Sequence, residues 1–127
     1  MTYDRFEDTP VWQAAADLAA AIFDWVEHPA FRGKGDLADQ LQRAALSISN
    51  NIAEGFERGT PSEFHRFLTI AKASCAELRS QLYVALDVGY LTEEIFGALL
   101  AQADEVARII GGLRISARQR REARELL

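Results

Sequence analysis

Few side chains in this sequence could carry out chemistry, and their spacing limits what that chemistry could be. The two histidines are His28 and His65, and the one cysteine is Cys75. Neither histidine follows a glutamate by three residues, so the Glu-x-x-His pairs of a di-iron carboxylate bundle are missing. No Gly-rich phosphate loop, Gly-x-Ser-x-Gly elbow or paired-cysteine zinc motif occurs. A lone cysteine cannot close an intramolecular disulfide, and Cys75 falls on the apolar face of a predicted helix, where it reads as inert core packing. These residues imply a non-enzymatic protein with no metal and no cofactor.

Two polar constellations remain. At about 100° per helical residue, Gln40, Arg43, Ser47, Asn51, Glu54 and Arg58 fall on one flank of an apolar stripe. Glu63, Arg66, Ser74, Glu77 and Gln81 fall on the equivalent flank of the next helix. A hairpin turning near Thr60 sets Arg43 against Glu77, Glu54 against Arg66, Arg58 against Glu63, Ser47 against Ser74 and Gln40 against Gln81. Every charged pair has opposite signs, which predicts a seam that fixes the register of the hairpin. Exposed ion pairs contribute only about 0.2 to 1 kcal/mol each, so such a seam acts on specificity more than on stability. It lacks a histidine or cysteine to serve as base or nucleophile near neutral pH, which argues against an active-site groove.

The second constellation is a charge asymmetry. Net charge is −5, yet residues 1–107 carry 17 acidic and 8 basic side chains while residues 108–127 carry 2 acidic and 6 basic. Arg108 opens the basic end, and Arg114, Arg118, Arg120, Arg121 and Arg124 follow. Arginines in a final helical turn are favoured by the helix dipole. Clustered, they are also a candidate electrostatic contact for nucleic acid.

The elements that must position these residues are four segments of three-and-four apolar spacing, with no strand-like alternation. They predict one all-α domain over residues 1–127, with helices at about 9–28, 36–58, 61–88 and 92–121. Thr9-Pro10 is an N-cap followed by a proline in the first helical position, and Gly59-Thr60-Pro61-Ser62-Glu63 is a glycine stop joined to a capped start. The stretch from Pro29 to Gly35 reads as a loop, and Gly89 closes the third helix before Thr92 opens the fourth. Short loops make consecutive helices antiparallel neighbours, which predicts an up-down-up-down four-helix bundle.

The first helix is expected to turn Trp12, Ala15, Ala16, Ala19, Ile22, Phe23 and Val26 inward. Ala14, Leu18, Ala21 and Trp25 form a second apolar line about 100 to 140° away, a candidate homo-oligomer interface. Apolar runs such as Leu18 to Phe23 are too short to cross a bilayer, and the N-terminal residues lack a secretory pattern, so a cytoplasmic location is expected.

The run from Gln40 to Arg58 contains Ser47-Ile48-Ser49-Asn50-Asn51-Ile52-Ala53-Glu54-Gly55. It resembles the signature of the bacterial four-helix-bundle proteins associated with intervening sequences of 23S ribosomal RNA genes. The resemblance continues through Glu63-Phe64, Phe67-Leu68, Ala71, Ser74, Glu77-Leu78 and Gly89-Tyr90-Leu91, with Phe6, Val11-Trp12 and Leu18 near the start. It implies a four-helix bundle assembled as a homopentamer. It also implies kinship with accessory proteins of diversity-generating retroelements, which bind nucleic acid and a polymerase through a strongly basic surface. This chain departs from that branch in being acidic outside its last helix. The expectation is an oligomeric scaffold or accessory protein associated with RNA or a nucleic-acid-handling partner, with direct binding through the arginine-rich helix as the alternative.

Overall fold

The computed structural model describes residues 3–31 and 35–125. The four helices are α1 (Pro10–Val26), α2 (Gly35–Arg58), α3 (Pro61–Asp87) and α4 (Glu93–Glu125), with no strand among the described residues. The Thr9 hydroxyl accepts from the Trp12 amide at 3.3 Å, Thr60 from Glu63 at 3.2 Å and Thr92 from Ile95 at 3.2 Å. Each bond satisfies a first-turn donor that has no partner within the helix. Gly59 and Gly89 end α2 and α3 with φ of 80° and 81°, the left-handed conformation that glycine adopts without strain. No helix is long and apolar enough to cross a membrane.

The core is one apolar cluster drawn from all four helices. Ile22, Leu41, Ile48, Ile52, Leu68, Leu78, Leu82 and Ile110 are almost fully excluded from solvent. Cys75 lies among them, and burial pushes its thiol up to about 11, which keeps it un-ionised and inert near neutral pH. In α1 the buried line is Val11, Ala15, Leu18, Ala19 and Ile22. Leu18, expected at a subunit interface, is 0% exposed, while Phe23, expected in the core, is 37% exposed. Ala14, Ala21 and Trp25 are partly buried and packed against the same core. The two apolar lines of α1 are flanks of a single arc, because α1 packs against both α2 and α4.

The segment expected to be a structureless loop contains a 3-10 turn at Pro29–Phe31, and Phe31 is buried edge-on against Tyr90 at 5.7 Å. A single inward aromatic leaves no periodic trace, so the pattern that finds helices does not reveal it. Trp25 stacks on His28 at 4.0 Å just before this turn.

At Gly55, α2 and α3 approach closely. A Cβ placed on Gly55 would sit 2.6 Å from the Cβ of Phe67, a separation that side chains do not tolerate. Farther along, Ser47 meets Ser74 at 2.8 Å, so partners descend α3 as residues climb α2. On the other side of α3, Arg79 meets Asp104 at 2.8 Å and Arg114 meets Thr69 at 3.1 Å, with the same descending order. α4 is the longest helix at 33 residues, about 50 Å, against 27 residues for α3. Its 113–125 portion, after the Gly111-Gly112 pair, carries Arg114, Arg118, Arg120, Arg121 and Arg124.

Helix propensity favours alanine over glycine by about 1 kcal/mol, whereas overpacking a tight contact costs about 1 to 3 kcal/mol. Gly55→Ala is therefore expected to destabilise the bundle, while Gly112→Ala, which meets nothing within 4 Å, is expected to stabilise it. Urea unfolding of both variants checks the opposite signs.

Candidate nucleic-acid interface

The α2–α3 seam is polar at its centre, but its charges do not cross from helix to helix. Ser47 Oγ and Ser74 Oγ share a hydrogen bond, the Asn51 amide donates to the Ser47 carbonyl at 2.7 Å and to its hydroxyl at 3.1 Å, and Ser74 donates to the Ile70 carbonyl at 3.2 Å. With Ser74 7% exposed, this knot is shielded from competing water. The expected Ser47–Ser74 pair is thus formed.

The expected cross-helix ion pairs are not formed. Arg58 binds Glu54 at 3.1 Å within α2, and Arg66 binds Glu63 at 3.0 Å within α3. Both guanidiniums also lie over the Phe67 ring, at 5.2 and 4.7 Å from its centroid. Gln81 donates to Glu77 at 3.3 Å in its own helix, and Arg43 makes no ion pair with Glu77. Neighbours one helical turn apart meet at little entropic cost, so exposed charges pair locally before they reach across a groove. Gln40, at the far end of this flank, is exposed. The seam is a structural lock and holds no reactive group.

The arginines of α4 were expected to act as one cluster, and the helical period divides them. Arg114 donates to Thr69 on α3, and Arg118 lies 3.8 Å from Glu122. Burial, and after it the charges of Arg114, Arg121 and Arg118, hold the His65 imidazolium below its usual range. Three guanidiniums of α4 thus act on one histidine of α3. The Nε of Arg121 is buried without a hydrogen-bond partner among the described residues. Lys72 extends the line, its Nζ 3.9 Å from where a Cβ on Gly111 would lie. Arg120 and Arg124 instead line a groove bounded by the starts of α1 and α3.

Spacing within α4 shows the arginines but not His65 or Lys72, which belong to another helix. The α3–α4 register would have identified both, since it brings Thr69 to Arg114. Among the described residues no group of three or more His, Cys, Asp or Glu side chains could hold a metal ion.

Residues 7–112 match the family model described as 23S rRNA-intervening sequence protein. The chain belongs to that family. The serine–asparagine knot and Gly55 lie inside the matched region of this 23S rRNA-intervening sequence protein family, whereas Arg114 to Arg124 lie beyond its end. A solved structure from Bacteroides thetaiotaomicron, described as a protein of unknown function from the S23 ribosomal protein family, is similar with a TM-score of 0.75. It is 19% identical, and the match covers 82% of this chain and 97% of that one. That likeness supports the all-helical fold. No curated protein matches significantly.

Two measurements follow from this geometry. In double-mutant cycles, Ser47→Ala with Ser74→Ala should couple by more than about 0.5 kcal/mol, while Arg43→Glu with Glu77→Arg should be additive within that limit. By NMR, His65 should titrate below 6.5, and Arg118→Gln with Arg121→Gln should move it upward. Because the folded value is the lower one, the unfolded chain binds this proton more tightly. The contribution of His65 to stability is therefore complete above 6.5 and is lost as pH falls through the folded value.

Proposed function

We propose that the protein is a non-enzymatic oligomeric scaffold whose α3–α4 edge binds RNA electrostatically. The observation that carries this reading is the α3–α4 register that sets Arg114 on Thr69 and brings the charges of Arg114, Arg121 and Arg118 to bear, after burial, on His65 of α3. Of these, Arg118 alone lies near a carboxylate, at 3.8 Å, so the surplus charge can still act on a phosphate backbone. The net charge of −5 does not oppose this, because at about 0.1 M salt exposed charges more than about 10 Å away are largely screened. The family description refers to 23S rRNA, which makes RNA the first polyanion to test.

The scaffold part of the reading rests on the absence of a nucleophile–base pair among the described polar clusters and on the family resemblance. The descending partners on both sides of α3 support helices that alternate in direction, up-down-up-down. Homopentameric assembly and a cytoplasmic location belong to the same proposal. With Leu18 buried, the contact surface of α1 contracts to its exposed positions, such as Phe23.

Three or four bound phosphates at about −0.7 each give an expected salt slope of about −2 to −3 for single-stranded RNA. Electrophoretic mobility shifts with an RNA oligomer at 20 to 200 mM salt, on the order of one Debye regime to the next, measure it. Arg118→Glu with Arg121→Glu should abolish the shift, and RNA binding should raise the His65 titration midpoint. If RNA causes no shift at the lowest salt, this reading fails.

A further inference from the structure

Beyond the basic edge, the bundle has a groove of about 950 Å³ at the end where α1 and α3 begin. Its walls include Phe56, Phe64, Ile109 and Leu113, all half-buried, and Arg120 and Arg124 stand on its α4 side. Among the described residues no carboxylate lines it. Neither arginine makes a hydrogen bond or an ion pair with any described residue, unlike Arg58, Arg66, Arg79 and Arg108, each of which has a carboxylate partner. The first residues of α1 and α3, Pro10 and Pro61, lie against the same space, so the positive ends of two helix dipoles add to the two guanidinium charges.

The size lies within the range of about 300 to 1,000 Å³ typical of small-molecule sites, and an apolar lining with a few fixed polar groups is their usual composition. The chemistry of the lining selects among occupants. Reading a nucleobase requires free donors and acceptors along its edge. Apart from the arginines, the polar side chains here are Tyr3 and the capping threonines. The Thr9 hydroxyl is committed to the Trp12 amide and the Phe6 carbonyl, and that of Thr60 accepts from the Glu63 amide. A hydrocarbon chain needs none of these groups, and a carboxylate needs only the arginines.

We infer that this groove binds a long-chain carboxylate, with the chain against Phe56, Phe64, Ile109 and Leu113 and the head on Arg120 and Arg124. The site is separate from the RNA edge, because the helical period of α4 directs Arg114 toward Thr69 on α3 and places Arg120 and Arg124 on the groove.

The probe is laurate, titrated calorimetrically below its micelle concentration into the full chain, with dodecanol, acetate and inorganic phosphate as comparators. Laurate should saturate one site per chain and bind more tightly than dodecanol by about tenfold or more, the scale of one charge-assisted contact. Acetate and phosphate should show no saturable binding. Arg120→Gln with Arg124→Gln, at exposed positions whose replacement leaves the core intact, should reduce laurate to the level of dodecanol with unchanged helical content by circular dichroism. Arg118→Glu with Arg121→Glu should lose RNA yet keep laurate, so failure of one site is visible apart from failure of the other. Equal binding of laurate and dodecanol, a preference that survives the double glutamine variant, or no binding at all would overturn the carboxylate site. Displacement of laurate by the RNA oligomer would overturn it as well, by making the groove part of the nucleic-acid surface.

Discussion

At residue 55 the chain carries no side chain, and there the backbones of α2 and α3 close to a separation that even a methyl group would prevent. The contact works because Phe67 occupies the vacated space and is held from above by the guanidiniums of Arg58 and Arg66. Two turns away, the hydrogen bond between Ser47 and Ser74 forms in one alignment of the helices, and a slipped register would forfeit it. Close approach and buried polarity together set where every residue of α3 stands. The α4 contacts follow, because Thr69 and Arg79 receive Arg114 and Asp104 only in that position.

The parts of this arrangement that were legible in the sequence are those governed by local or strictly periodic physics. Thr9-Pro10 and Thr60-Pro61 specify helix starts through bonds within one turn, and Ser47 with Ser74 is found by counting from the hairpin. The parts that were not legible involve a choice between competing partners. Glu54 could reach Arg58 or Arg66, and proximity along the helix decided for Arg58. Leu18 was placed outside because a wheel drawn for one helix does not know that it has two neighbours. The arginines were seen as one group because composition ignores direction, whereas a turn of about 100° per residue sends Arg114 and Arg120 to different sides.

An acidic protein with a basic end illustrates how little net charge says about binding. Some carboxylates elsewhere are taken up by neighbours, Glu54 and Glu63 by arginines of their own helices, Asp104 by Arg79 and Glu105 by Arg108, while most of the acidic side chains in residues 1–107 make no ion pair with a described residue. The surplus positive charge differs in being gathered on one segment, the last turns of α4, beyond the family's matched region. The matched region holds Gly55 and the serine–asparagine knot, and the segment after it holds Arg114 to Arg124.

The Gly111-Gly112 pair stands where one becomes the other. Two glycines within a helix weaken it by about 2 kcal/mol relative to two alanines, at a point just ahead of Arg114. That lowers the free energy of opening the arginine-bearing turns relative to the same helix with alanines. In kinetic language, the turns of α4 beyond Gly112 open more readily than they would with alanines at the pair, and the buried Ala117 and the Arg114–Thr69 bond are what hold them closed.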